Sequence, residues 1–233
     1  MSPSASERTN SASTRRRVRS FVRRPGRLTP AQQRALDLLL QHYAIDPETN
    51  DLRNQFDRPA PLVIEIGCGN GDAMVWMAGQ EPDKNFIGVE VHEPGIGRLL
   101  RGLEAHDRGN VRVAMLDAVD LLDAQVQPAS IDEFRIYFPD PWPKKRHHKR
   151  RLIQAPLVEQ LAELLVPGGL LHLATDWQPY AEWMQHVMLE QPGFNDISLP
   201  RHARPAWRPQ THFERRGLRK GHIICDLIYQ KRE

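Results

Sequence analysis

Four carboxylates stand where short apolar runs end. Glu65 lies within Leu62-Val63-Ile64-Glu65-Ile66, Glu90 closes the run from Phe86, Asp117 follows Val111 to Met115, and Asp140 sits inside Phe138-Pro139-Asp140-Pro141-Trp142-Pro143. Between the first two runs comes Gly67-Cys68-Gly69-Asn70-Gly71, whose alternate glycines let a backbone turn sharply and approach a ligand with no Cβ in the way. Glu90, nineteen residues beyond Gly71, is placed to accept hydrogen bonds from both hydroxyls of a ribose. Asp117 has two readings of equal weight, an adenine contact and a helix N-cap, because Asp is favoured at N-caps.

A ribose-binding acid serves NAD and S-adenosylmethionine alike, so Glu90 does not choose between them. The loop is G-x-G-x-G instead of the dinucleotide G-x-G-x-x-G, which weakens the case for a pyrophosphate on the helix N-terminus. Glu65 directly before it repels phosphate but suits a ligand carrying an ammonium and a sulfonium. The expected cofactor is therefore S-adenosyl-L-methionine, cradled by Gly67, Gly69 and Gly71. No hydride-transfer constellation supports a dehydrogenase.

Three prolines within Pro139 to Pro143 stiffen the loop that carries Asp140, as a positioned substrate base requires. Lys144, Lys145, Arg146, His147, His148, Lys149, Arg150 and Arg151 follow without a break. Such a run is usually a solvated face, but beside a cofactor crevice it points to nucleic-acid phosphates.

The elements that must hold these groups follow from periodicity. Thr29-Pro30 opens an amphipathic helix. Beyond it, strand-like runs at Leu62 to Ile66, Phe86 to Glu90, Val111 to Met115, Ile131 to Phe138 and Leu170 to Ala174 alternate with helical stretches near 72–80, 94–107, 150–166 and 179–190. Pro167-Gly168-Gly169 reads as the stop of the third of these helices, and Ile223 to Tyr229 as a last strand. That alternation predicts an α/β Rossmann-like fold, a mostly parallel sheet with helices on both faces.

A single domain over 28–233 is expected, preceded by a flexible basic arm over 1–27 that holds Arg15, Arg16, Arg17, Arg19, Arg23, Arg24 and Arg27. The net charge of only +3 understates this clustering. No apolar run is long enough to span a membrane and no signal-peptide core is present, so a cytoplasmic protein is expected. Cys68 and Cys225 have no companion ligands at zinc spacing, and no metal is expected.

The chain resembles the bacterial tRNA (guanine-N7)-methyltransferase family. The resemblance rests on Ser20-Phe21-Val22-Arg23-Arg24, on Glu65 to Gly71, on Phe138 to Pro143 with its basic tail, on Ala174-Thr175-Asp176-Trp177, and on Thr211-His212-Phe213-Glu214-Arg215-Arg216-Gly217. It implies a class I methyltransferase in which Glu65, Glu90, Asp117 and Asp140 line the S-adenosylmethionine site, with Asp140 catalytic. It implies too that Lys144, Asp176, Thr211, His212, Phe213 and Glu214 contact the substrate, and that Arg146, His147, His148, Lys149, Arg150 and Arg151 meet tRNA. His212 replaces a Lys common in the family, and Cys68 a larger apolar residue. A methyltransferase of another RNA or of a protein, and a noncatalytic RNA-binding module, are the rival readings. The chain would act as a monomer or homodimer.

Overall fold

A computed structural model describes residues 26–200 and 203–233. Most of the expected basic arm, with Ser20 to Arg24, lies outside these residues. Seven strands form one sheet in the order β3-β2-β1-β4-β5-β7-β6. The first four are β1 (Leu62–Ile66), β2 (Asn85–Val89), β3 (Val111–Ala114) and β4 (Ile131–Tyr137). β5 (Leu165–Thr175) completes the parallel part, while β7 (Cys225–Lys231) runs antiparallel between β5 and the short β6 (Phe194–Asp196). The sheet is thus mostly parallel, as the alternation of runs predicts.

Helices cover both faces. α1 (Pro30–Tyr43), α2 (Asp72–Gln80) and α3 (Glu93–Ala105) pack on the side of Val63, Phe86, Val111 and Tyr137. α4 (Ala118–Gln125), α5 (Ala155–Leu164) and α6 (Gln178–Leu189) cover the face of Ile64, Ile87, Phe134 and Leu171. Strand side chains alternate between the faces, and because both are covered the strands read as continuous apolar runs. α1 begins with a full capping box, Thr29 Oγ1 accepting from the Gln32 amide and Gln32 Oε1 accepting from the Thr29 amide.

Three expectations need correction. Glu90 lies one residue past β2, on the turn itself. The helix expected near 150–166 is shorter: Lys145–Arg150 is a 3-10 turn and α5 starts at Ala155. Pro167-Gly168-Gly169 does not cap that helix but lies within β5, where Gly168 takes φ +76° and the pairing with β4 shifts register. A left-handed glycine serves a strand irregularity as well as a helix end, and only the neighbouring strand decides which. α4, β6 and α7 (His212–Arg219) have no counterpart among the expected elements.

Candidate active site

β1 and β4 are neighbours whose chain connections leave in opposite directions along the sheet, which makes the space beyond their carboxyl ends the topological switch point. β1 runs there into the glycine turn. Gly67, Gly69 and Gly71 all take left-handed φ values of +77°, +58° and +73°, conformations that disfavour any residue with a Cβ. At Gly67 a Cβ would meet nothing within 4 Å, so its face is open towards the cleft. Gly71 is constrained from behind instead, since a Cβ there would collide with the Leu99 side chain of α3.

Glu90 anchors this turn. Its Oε2 accepts from the Gly69 amide at 2.9 Å, and its Oε1 accepts from the amides of Val91 and His92 at 2.8 and 3.0 Å. The carboxylate is therefore fixed before any ligand arrives. Glu65 differs: it is 3% exposed, and its Oε2 is buried with no hydrogen-bond partner. Burial pushes its carboxyl up to about 7, against the pull of Arg135 and with a further push from Glu90.

Glu90, Asp117 and Asp140 line one cavity of about 230 Å³, together with Gly67, Gly69 and Phe138. Separate surfaces for these acids would have broken the sequence reading. Of the two readings of Asp117 the N-cap is seen, its Oδ1 accepting from the Val119 amide at 3.1 Å to cap α4, and the residue also lines this cavity. A second cavity of about 250 Å³ adjoins the first through Gly67, Tyr137, Phe138 and Phe213, and Glu65 is among its lining residues.

The loop carrying Asp140 is held from three directions. The Phe138 amide donates to Ala174 O at 2.7 Å, Arg151 Nε donates to Pro141 O at 3.0 Å, and the Arg150 guanidinium lies over the Trp142 ring. Phe138 and Trp142 take φ values of +53° and +45°, strained for residues with a Cβ. Strain of this kind persists only where the surroundings over-determine it, which is what the three contacts do.

The basic run folds into two populations. Lys144, Lys145, Arg146 and Lys149 are exposed, whereas His147 and His148 are half-buried against Trp142 and Trp183. Arg151, expected in the RNA footprint, is 3% exposed and lies against Tyr180 and Trp183. Its positive charge is spent inside the protein, and burial accordingly lowers its pKa.

The opposite wall is α7. Thr211 caps it by accepting from the Glu214 amide at 3.1 Å, and Phe213, 54% exposed, reaches both cavities. Glu214, expected at the substrate, is turned away from both cavities. It is 4% exposed and pairs with Arg208 Nη1 at 2.5 Å. Arg208 also grips Asp226 through Nε and Nη2 at 2.6 and 2.7 Å, and Asp226 accepts from His172, whose Nδ1 meets the Tyr137 hydroxyl at 3.0 Å. A buried polar chain thus ties the cavity-lining Tyr137 to the base of α7. Asp176 pairs with His222 Nδ1 at 2.9 Å and packs beneath Gly217, so it braces α7 from the same side.

Sequence reasoning missed Arg208, His172 and Asp226, which are far apart in the chain and lack any common motif. Tyr137 carried a faint signal, being the last residue before a loop that was itself legible.

Comparison with known proteins agrees with this geometry. A family model described as "Putative methyltransferase" matches residues 59–227. The tRNA (guanine-N(7)-)-methyltransferase of Alkalilimnicola ehrlichii is 48% identical over 231 residues, covering 97% of this chain and 98% of that protein. That of Halorhodospira halophila is 51% identical over 222 residues, with 93% and 96% covered. Among solved structures, an rRNA methylase from Streptococcus thermophilus superposes with a TM-score of 0.51 at 13% identity, over 89% of this chain and all of that one. At that identity the likeness speaks to the fold alone.

Proposed function

Because the chain belongs to the tRNA (guanine-N7)-methyltransferase family, we propose that it transfers a methyl group from S-adenosylmethionine to N7 of a guanine in tRNA, with Asp140 as the catalytic residue. The observation that carries this reading is the shared cavity of Glu90, Asp117 and Asp140 at the switch point, joined to a second cavity over an unpartnered Glu65 oxygen.

The residues present fit such a cofactor. A buried carboxylate oxygen without a donor is costly, and a cationic ligand group supplies the missing partner. The open face of Gly67 leaves room for a ligand against the backbone, and Glu90, already fixed by three amides, offers free lone pairs to ribose hydroxyls. When bound, S-adenosylmethionine supplies a methyl group made electrophilic by its sulfonium. Glu65, Glu90 and Asp117 would hold it.

Guanine N7 presents an in-plane lone pair, the one read as an acceptor in the major groove. No residue has to remove a proton from it. The work left to the protein is alignment, and electrostatic support for positive charge on the purine. Asp140, on a loop pinned by Arg151, the Ala174 carbonyl and the Arg150–Trp142 contact, would accept hydrogen bonds from guanine N–H groups and favour the cationic product. Phe138 and Phe213 line the junction of the cavities and would exclude water from it. The exposed Lys144, Arg146 and Lys149 would take phosphates beside the target.

Incubation with unmodified tRNA and methyl-labelled cofactor, followed by mapping of the labelled nucleotide, tests this. Label in 7-methylguanosine is the expected result; label at another atom or in protein would overturn the substrate assignment.

A further inference from the structure

α7 carries a charge pattern that neither its packing nor the cavity it borders explains. Helical geometry advances 100° per residue. On that wheel Glu214 and Gly217 face inward, Glu214 onto Arg208 and Gly217 onto Asp176, where an added Cβ would lie 2.6 Å from Asp176 Oδ2. Arg215, Arg216, Arg219 and His212 fall together on the opposite arc, and all four are exposed.

Among the described residues no carboxylate pairs with Arg215, Arg216 or Arg219; Arg215 donates only to the Gln210 carbonyl, at 3.0 Å. The one acid of the helix, Glu214, is buried and committed to Arg208. A merely solvated helix face mixes signs and gains from acid–base pairs one turn apart. Here Arg215 and Arg219 are like charges at i,i+4, which costs the isolated helix about 0.2–0.5 kcal/mol. Arg215 stands in the N-terminal half, the end whose dipole favours anions, whereas Arg216 and Arg219 lie in the last turn, where the dipole favours cations. The dipole accounts for cations in the last turn but not for Arg215 or for the Arg215–Arg219 repulsion, and an anionic partner would relieve both.

We propose that this arginine stripe, Arg215, Arg216 and Arg219 with His212 at its head, is a second phosphate-binding rail that grips the tRNA backbone on the side of the cleft away from Lys144 to Lys149. This rests on the tRNA-methylating reading above and extends it. The stripe starts at the mouth, since His212 and Arg215 line the cavity that holds Glu65, and from there runs outward along the helix. One turn separates the Cβ atoms of the stripe by about 5–6 Å, so its cations line up along the helix. The opposite face is locked by Arg208, Glu214 and Asp226, so the rail keeps a fixed position relative to the cavities and little ordering entropy is lost when a backbone docks. A nucleotide entering the cleft would have its flanking phosphates met from both walls.

The test uses the full-length protein with Arg216→Gln and Arg219→Gln together, since neither residue lines a cavity. Affinity for unmodified tRNA is measured by fluorescence anisotropy across 50–200 mM salt, alongside S-adenosylmethionine affinity by calorimetry and a thermal melt. Weaker tRNA binding is expected, with the log–log salt slope reduced by about 0.7–0.9 for each phosphate no longer neutralised, cofactor affinity within about twofold, and recovery in the Arg216→Lys, Arg219→Lys protein. An unchanged slope overturns the proposal, as does a parallel loss of cofactor affinity that the lysine protein fails to restore, which would mark the arginines as structural. Competition by polyglutamate that depends on the stripe, with tRNA binding unaffected, also overturns it in favour of an acidic protein partner. Wild-type protein that methylates no tRNA defeats the parent reading instead, so the two failures are distinguishable.

Discussion

Glu65 is the residue whose environment and chemistry are most tightly linked. Its carboxyl is raised from 4.5 to about 7 mainly by burial. The folded chain therefore keeps a proton that the unfolded chain has released, and stability falls as pH rises from about 4.5 through about 7. The shift corresponds to roughly 3 kcal/mol once both limits are passed. Glu65→Gln should melt at higher temperature than wild type at pH 8 in the absence of cofactor, with the difference vanishing near pH 4.5. The same substitution should weaken cofactor binding and abolish the rise of wild-type affinity with pH below about 7, as read by calorimetry over that range. Asp140 gives a different signature. Asp140→Ala should reduce kcat by roughly a hundredfold or more while tRNA affinity changes little; equal losses in both would remove it from the chemical step.

Two contacts between elements set the shape of the site. Gly95, in the first turn of α3, lies against the glycine turn, where an added Cβ would collide with the Gly69 carbonyl oxygen. Alanine at an open helical position gains up to about 1 kcal/mol over glycine. Gly95→Ala is nonetheless expected to lower both the melting temperature and cofactor affinity, because the backbone carbonyl it strikes belongs to the turn that Glu90 anchors. The Arg208 clamp governs the other wall. Its side chain is fully buried between Glu214 and Asp226, and removing it leaves Glu214 only Arg204, at 3.9 Å, and Asp226 only His172. Arg208→Ala should cost about 3–5 kcal/mol and lower the melting temperature by roughly 10 °C in calorimetry.

Over the whole molecule, charge is sorted by the fold and not by the order of the chain. The formal net charge is +3, yet exposed cations flank one end of the sheet, supplied by the 3-10 turn after β4 and by α7. No helix among the described residues is long and apolar enough to cross a membrane. Replacing Arg146, Lys149 and Arg150 together should weaken tRNA binding and flatten its salt dependence by roughly 0.7–0.9 in log–log slope for every phosphate that these side chains neutralise in the wild-type complex. Measured binding curves at several salt concentrations check this. Arg151→Gln should act otherwise: it should lower the melting temperature by removing the guanidinium from Pro141, Tyr180 and Trp183, while the salt slope of tRNA binding stays at its wild-type value.

How much of this was legible in the chain follows the range of the interactions involved. Strand runs, the glycine turn, the Thr29 cap and the proline loop are local: their residue types act on neighbours within a few positions, so periodicity and spacing reveal them. The carboxyl-end placement of Glu65, Glu90, Asp117 and Asp140 was readable for the same reason, because strand ends mark where loops must leave a parallel sheet. Arg151 and Glu214 were legible only as charges, because the sequence displays a charge without its surroundings, and the fold buries both against groups it brings together. Pro167-Gly168-Gly169 misled likewise, since a left-handed glycine suits a helix end or a strand irregularity equally and only pairing with β4 chose between them. The Arg208–Asp226–His172–Tyr137 chain spans elements remote in sequence and exists only once β4, β5 and β7 lie side by side. The sequence by itself determined which chemistry was available and at which end of the sheet; tertiary packing decided which charges remained free to use it, because desolvation and pairing depend on neighbours that chain order does not specify.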